Sequence, residues 1–509
     1  MNDCLDEEKG TINGGEGGSV SIKQPNGTKT PSEAPNHATT RRHKTNLPTI
    51  SHPSNALRFL HKIQAPHNAS AVDSSPLQAE LPLNIIVVGG GLGGLATSIA
   101  LARRGHSVTV LEQAHELGEV GAGIQIPSNS SLLLERWGVG TFLAGKAVEP
   151  QGITIRRWQD GSKIGYTKLI PEFRENFGAS YHVVHRAHFH EALYSRALQL
   201  GVDVRVDCRV VTYDDEDASV ELANGTTLSA DLIVAADGIK SAARQLVLGG
   251  RDQKPKPTGF AAYRATVDVE KILADPDVVW LLEKPSLDIW IGEDRHVMTY
   301  TIAAGKSFNM VLSHVDRSDP QTWDNKTALD DMRREFSGWD PQLTKIIYMI
   351  NKTIKWPLCA GTPLPRWVAP SSKLLILGDA AHAMVPYMSQ GAAMAVEDGA
   401  ALAMVLNSIN NRSSIPFALK VFEKERLQRT SQMQQASMAN GTIWHFPDGP
   451  QQEARDEAMR PEVEGKHFLS SANQWSDPVT QWWAYGYDAE AAMKDACDAA
   501  VSDLISKAC

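Results

Sequence analysis

Cysteine is scarce in this chain. There are five in 509 residues, Cys4, Cys208, Cys359, Cys497 and Cys509, scattered and odd in number. That pattern excludes a disulfide framework and a zinc site, fits a reducing compartment, and leads us to expect a cytoplasmic protein. Positive charge is not in excess either: 50 Lys and Arg stand against 59 Asp and Glu, for a net charge of -9. A chain without a basic footprint is not expected to bind nucleic acid. The first residues, Met1-Asn-Asp-Cys-Leu-Asp-Glu-Glu8, are acidic and carry no apolar segment of the secretory kind. The Asn-x-Ser/Thr triplets at Asn129 and Asn224 then read as chance matches. Long uncharged runs are nearly absent. Leu81 to Ala102 is one, with the length of a membrane span. Its glycine cluster falls where a strand would turn into a helix, and β-branched residues precede the cluster, so no stable span is expected. Internal repeats are missing, and so is a second GxGxxG. What is present is ordinary for a globular protein, 42% hydrophobic and 21% charged, with length enough for two ordered domains.

The texture changes along the chain. Residues 1–80 are rich in Gly, Ser, Thr, Asn, Pro and His and poor in apolar residues. Such a segment cannot bury enough surface to offset chain entropy and is expected to be a disordered tail. From about 81 a β-α-β pattern begins: a buried strand at Ile85–Val88, a helix from Leu92 to Arg104 stopped by Gly105, and a second strand at Ser107–Leu111. Alternating runs over 256–355, at Phe260–Asp268, Leu287–Gly292 and His296–Ile302, predict an antiparallel sheet. The first pattern returns at 373–405. The expected division is therefore a nucleotide-binding domain in two parts, 81–255 and 356–440, around a β-rich domain at 256–355. A helical segment rich in aromatics follows at 441–509.

Three segments carry chemistry. In the first, strand Ile85–Val88 runs into Gly89-x-Gly91-x-x-Gly94 and a helix. One glycine permits the tight turn, the next lets the backbone approach a pyrophosphate, and the third allows close helix–strand packing. The helix directs its free N–H groups at the phosphates. Glu112 ends the next strand, where a carboxylate accepts from an adenosine ribose. An acid there rather than an arginine points to FAD or NAD and away from a phosphorylated ribose. In the second, strand Leu374–Leu377 ends in Gly378-Asp379, and Gln390-Gly391-Ala392 opens a helix. Asp379 is placed to accept from a ribityl or ribose hydroxyl, and the helix start can set N–H groups near a flavin's pyrimidine oxygen. Two glycine turns nearly three hundred residues apart suggest one long ligand gripped at both ends, which favours FAD. The third segment, Ala230–Arg244, is a strand followed by Asp237-Gly238 and a helix. Arg186 heads a further helix, where it can lie along a pyrophosphate or form a surface ion pair. Read without a ligand, each of these is also a common turn. His188 and His190 lack a third ligand, so no metal site is expected.

Gly89-x-Gly91-x-x-Gly94 with Glu112, then Arg186, Asp237-Gly238, Gly378-Asp379 with Pro386, and Gln390-Gly391 occur in the order of the class A FAD-dependent monooxygenases. The chain resembles that family over about 83–495. Its segments Gly118–Asn129, Gly391–Asp398, Asn473–Thr480 and Tyr485–Asp488 look like the salicylate hydroxylase-like branch of fungi. The resemblance implies the para-hydroxybenzoate hydroxylase fold: an α/β, discontinuous Rossmann-type FAD-binding domain with an inserted antiparallel β-sheet substrate domain and a helical C-terminal segment. It also implies an activity. NADH or NADPH docks transiently and reduces FAD, the reduced flavin reacts with O2 to a C4a-hydroperoxide, and one oxygen atom passes to a small aromatic, phenolic or salicylate-like substrate. Asp237-Gly238 then serves both FAD and NAD(P)H. Tyr263 and Arg264 match positions where related hydroxylases place substrate-facing residues, the tyrosine to orient a phenolate and the arginine to pair with a carboxylate. Adjacent strand residues point to opposite faces, which leaves open whether both face inward. Bacterial relatives carry a histidine four residues before this tyrosine, where this chain has Gly259, so a histidine base is not expected there. Trp290, His296 and Tyr300 are the next candidates to line the site. An epoxidase or dearomatising oxygenase would use the same motifs, and a non-catalytic flavin-binding regulator is the reading from another class.

Overall fold

The computed structural model describes residues 78–118 and 122–508. The expectation of a disordered tail lies, up to residue 77, outside the described residues. Of the remainder, Ala79 is buried, and its N–H donates to the Arg104 carbonyl at 2.8 Å.

A parallel sheet forms where the buried apolar runs are. Its five strands lie in the order Leu374–Ile376, Leu232–Ala235, Asn84–Val88, Ser107–Leu111, Asp203–Arg205. The first three of these lack a polar face apart from Asn84, as strands covered on both sides must. The uncharged run Leu81–Ala102 is thus a strand, a glycine turn and a helix, Leu92–Ala102. Among the described residues no helix is long and apolar enough to cross a membrane.

The second sheet has seven strands in the order Ile354–Ala360, Lys256–Asp268, Ser307–Val315, Arg295–Ile302, Leu287–Gly292, Gly152–Arg157, Lys163–Lys168. It takes two strands from 152–168, before the run of alternating segments. One face of this sheet packs Tyr263, Val267, Trp290, Val297 and Leu312 against the helices Ala328–Glu335 and Pro341–Met349. The other face, with Ala262, Ile289, Met298 and Tyr300, shares a core with Tyr387, Met388 and Met394 of the second glycine segment. A ribbon of Gly123–Ile126 and His182–His185 closes one side of that inner face.

The 30-residue helix Ile415–Trp444 packs on the turn at Tyr387 through close contacts that a larger residue would break. Asn440 Nδ2 donates to the Tyr387 carbonyl at 2.7 Å. At Gly441 a Cβ would lie 2.5 Å from Tyr387 Cδ2, inside the packed core. The helix ends by setting His445 against the inner face. Its Nε2 lies 2.8 Å from His296 Nδ1, and its ring stacks on Phe260 with centroids 5.0 Å apart. Both imidazoles are buried. Burial holds His296 well below its usual range, helped by His445, while burial and the charge of Arg455 push His445 down to about 3.

Two outcomes follow from this packing. Replacing a helical glycine by alanine ordinarily gains about 0.5–1 kcal/mol, whereas overpacking a core costs about 1–3 kcal/mol. Gly441→Ala is therefore expected to lower the Tm, and an unchanged or raised Tm would show that Tyr387 yields freely. The second concerns acid. The folded protein keeps His296 and His445 neutral, while the unfolded chain protonates them below about pH 6.5. Stability is then complete above that value and falls as the pH drops toward the depressed folded values, by about 1.4 kcal/mol per pH unit for each group. Thermal unfolding between pH 7 and 5 is expected to show a falling Tm, with a shallower fall in His445→Gln. An identical slope in the variant would mean that His445 is protonated in the folded state.

Candidate functional site

Strand order brings the dispersed motifs together. The strands ending at Val88, Leu111, Ala235 and Ile376 are adjacent and parallel, so the turns after them crowd one edge of the sheet. That edge, outside the carboxyl ends of an open α/β sheet, is where such folds take ligands. Gly89, Gly91 and Gly94, Glu112, Asp237-Gly238 and Gly378-Asp379 all lie there.

The glycines differ in what they do. At Gly89, with φ +105°, a Cβ would sit 2.4 Å from the Ala236 carbonyl oxygen, so this glycine lets two neighbouring strand ends touch. At Gly94 a Cβ would collide with the Gly89 carbonyl oxygen at 1.9 Å, which fixes the helix against the turn. At Gly91 and Gly238 a Cβ would meet nothing within 4 Å. The open ground lies in front of helix Leu92–Ala102, whose first turn has no side-chain cap. Unpaired N–H groups facing open space are what a phosphate needs. Glu112 accepts from Gly90 N–H at 2.7 Å and from Ala114 N–H at 2.8 Å. It braces the glycine turn as well as facing the edge. His190 joins the same turn, with Nε2 2.7 Å from the Gly90 oxygen. Arg186 opens helix Arg186–Gln199, and its N–H donates to the Ala122 carbonyl at 3.1 Å. Asp237 Oδ2 accepts from Tyr213 and from Ala242 N–H, both at 3.0 Å, while Oδ1 is buried with no partner among the described residues.

The second glycine segment is anchored from below. Gly378, at φ +62° and ψ -144°, adopts a backbone open only to glycine, and its N–H donates to Asp398 Oδ2 at 3.0 Å. Asp379 stands exposed beside it. Asp398 also meets His382 Nε2 at 2.7 Å and Arg426 Nε at 2.8 Å. Arg426 continues to Glu397 at 2.7 Å, and Glu397 to Arg429 at 2.9 Å and Asn129 at 2.7 Å. Asn129 donates to Gln390 at 2.9 Å. All seven side chains are buried. Burial works against charge on Asp398, but His382 and Arg426 hold its carboxyl below the usual range. The network locks the Gly378 turn to the start of helix Gly391–Asn407. There, Gly391 and Ala392 are only partly covered and no side chain caps the first turn.

Tyr263 and Arg264 do not share a face. Tyr263 is buried on the outer face, stacked on His314 with centroids 5.0 Å apart and 10° between planes. Trp290 is on that face too, donating to Asp340 at 2.8 Å. Arg264 points to the inner face, opposite Val311, and its charge is felt by the Tyr300 hydroxyl. The cause is strand parity: neighbours in a strand alternate sides. His296 and Tyr300 also occupy the inner face. Beside them is Gln125, which donates to the Met298 sulfur at 2.9 Å and receives the Tyr181 hydroxyl. Burial pushes the Tyr181, Tyr300 and Tyr387 phenols well above their usual range, so they remain proton donors at neutral pH. Tyr213, Gln125, Tyr181 and Asp398 were not singled out from sequence. Asp398 was visible in the segment after Gly378, but nothing local marks a lone tyrosine or glutamine as facing a site.

Known proteins match this arrangement. The FAD binding domain family covers residues 83–437. The FAD-dependent monooxygenase OpS4 of Beauveria bassiana is 38% identical over 422 residues, 82% of this chain and 97% of that protein. The 3-hydroxybenzoate 6-hydroxylase 1 of Aquipseudomonas alcaligenes is 35% identical over 79% of this chain and 97% of its own length. A salicylate hydroxylase solved with its substrate superposes with a TM-score of 0.66 at 26% identity, over 82% of this chain and 98% of that one. With the glycine turns, the discontinuous parallel sheet and the inserted sheet all in place, the chain belongs to the class A FAD-dependent monooxygenase family.

Proposed function

We propose that this enzyme uses NAD(P)H and O2 to hydroxylate a phenolic ring that carries an anionic group. The observation that carries the reading is Arg264 on the inner face of the seven-stranded sheet, the face that packs against the second glycine segment. Around it stand Met298, Val311 and the protonated phenol of Tyr300. An apolar floor that carries a cation and a phenol donor suits an aromatic acid or phenolate: the arginine pairs with the anion and the phenol donates to an oxygen on the ring. The buried packing of Met388, Met394 and Tyr387 keeps water from the reacting ring.

FAD fits the sheet edge on two grounds, the open space at Gly91 and Gly238 and the buried, unpartnered Asp237 Oδ1. In this reading Gly89, Gly91, Gly94 and Arg186 receive the pyrophosphate and Glu112 the adenosine ribose. Asp237 and Asp379 accept from hydroxyls, and the N–H groups at Gln390, Gly391 and Ala392 face the flavin's pyrimidine edge. When bound, FAD would supply the redox chemistry with NAD(P)H and O2. The protein positions the ring and holds protons where they are needed. Tyr263, packed in the outer core, supports the strand that carries Arg264. The division at 81–255, 256–355, 356–440 and 441–509 is a functional one in this reading, with a substrate wall that adds Gly152–Arg157 and Lys163–Lys168 from the first part to the strands of 256–355.

Screening hydroxybenzoates for stimulated NAD(P)H oxidation, with the product identified by mass, tests the reaction, and NAD(P)H oxidation without gain of an oxygen atom by any phenol tested would overturn it. Two variants test the roles. Glu112→Ala is expected to weaken FAD retention by about 1–3 kcal/mol, the worth of charge-assisted hydrogen bonds, read as flavin occupancy after desalting. Arg264→Ala is expected to raise KM for a carboxylated phenol by about 10–100-fold, while leaving an uncharged phenol nearly unaffected. Equal effects on both substrates would remove Arg264 from substrate binding.

A further inference from the structure

We propose that Tyr213, on a strand outside every nucleotide-binding motif, is a positioning residue that turns one oxygen of Asp237 toward the bound cofactor. The inference rests on the reading of Asp237 as a cofactor-holding residue and goes one contact beyond it. Tyr213 lies on Val210–Asp214, in a three-stranded meander with Ser219–Leu222 and Thr227–Ser229 that is separate from the parallel sheet. Its hydroxyl donates to Asp237 Oδ2 at 3.0 Å. The same oxygen accepts from Ala242 N–H at 3.0 Å and from Ala243 N–H at 3.5 Å. Among the described residues three donors converge on Oδ2 and none reaches Oδ1, which is nevertheless buried. A carboxylate oxygen shut from water without a donor is costly. The arrangement is recovered when a ligand hydroxyl or N–H supplies the missing bond.

The place is right for such a ligand. A Cβ on Gly89 would lie 2.4 Å from the Ala236 oxygen and 3.3 Å from Asp237 N, so Asp237 abuts the glycine turn. Gly238 follows at φ +77° with open space before it. The terminal torsion of an aspartate is broad and roughly two-fold, so the carboxylate needs an external hold to present one chosen oxygen. Two backbone N–H groups come from one side only. The phenol closes the clamp from another. Burial and the Asp237 charge both keep that phenol protonated, so it acts as a donor throughout the working pH range.

The test is FAD titration of the apoprotein by flavin fluorescence, with apoprotein Tm measured alongside. Tyr213→Phe removes only the oxygen and is expected to weaken FAD binding about 3–10-fold, the range of one hydrogen bond. Asp237→Ala is expected to weaken it further, and Tyr213→Phe added to Asp237→Ala to do nothing more, because the tyrosine acts through the carboxylate. Asp237→Asn gives a second reading should Tyr213→Phe fail to fold. The three donors hold the amide oxygen at the Oδ2 position and force the NH2 group toward the ligand, so Asn loses the charged acceptor, keeps at most a neutral bond to a ligand hydroxyl, and should bind FAD more weakly than wild type. A Tyr213→Phe effect of equal size in both Asp237 backgrounds would make the tyrosine merely structural and overturn the proposal, as would wild-type affinity in Asp237→Asn. Unchanged affinity in Asp237→Ala would instead refute the role of Asp237 itself, and the positioning role with it.

Discussion

Arg426 is the point on which the arrangement turns. It is fully buried between Asp398 and Glu397, with a third bond to the Met394 carbonyl at 3.1 Å. A charge taken out of water is tolerated only when its partners satisfy it completely, and removing one partner of such a pair typically costs about 3–5 kcal/mol. Here the carboxylates do more than neutralise a cation. Asp398 holds the Gly378 turn through its N–H, and Glu397 reaches Asn129 and through it Gln390. One guanidinium therefore sets the distance between the turn that ends a parallel strand and the helix that begins at Gly391. Arg429 extends the same network to the C-terminal aromatics. It lies 4.2 Å from the Tyr487 ring and bonds the Ala484 carbonyl at 3.1 Å.

The seven-stranded sheet works as a wall with two different faces. Outward, Tyr263, Trp290 and Leu312 are sealed beneath helices, and there the chemistry of Tyr263 is spent on stacking with His314. Inward, Arg264, Met298, Tyr300 and His296 meet the ribbon from Gly123 and the segment from Pro386. The fit is close: a Cβ on Gly123 would lie 2.3 Å from the Tyr300 ring. The inner face holds its imidazoles and phenols in their neutral forms. The imidazoles are kept unprotonated and the phenols protonated by the same burial. A dry wall of this kind suits a flavoprotein that must bring an oxygen atom to a ring without losing it to water.

The similarity to OpS4 and to the hydroxybenzoate and salicylate hydroxylases covers nearly the whole of those proteins, so the shared frame includes the inserted sheet as well as the nucleotide fold. Shared frame and shared substrate are separate matters, since function resides in the side chains set on the fold. Gly259 sits at φ +85° beside a shift in strand register. The inner face of this chain carries Arg264 and Tyr300, with Gln125 of the neighbouring ribbon beside Met298.

Local order was enough for the cofactor half. A strand, a glycine turn, a helix and an acid follow one another within thirty residues, and each step is dictated by short-range sterics and hydrogen bonding. So the strands near residues 85, 107, 232 and 374, the turns at Gly89, Asp237 and Gly378, and the fold class could be read directly. The substrate half could not, because its geometry depends on pairing between distant strands. Whether Tyr263 or Arg264 faces inward hangs on a single residue of register, and register is set by which side of the sheet the helices at 328–349 cover. The strands at 152–168 join that sheet only by lying beside Leu287–Gly292. Likewise, Tyr213 meets Asp237 across 24 residues and Asn129 meets Glu397 across 268. Sequence determined the nucleotide fold and the chemistry on offer. Tertiary structure decided which of those groups meet, because burial and strand pairing act between residues that no local pattern connects.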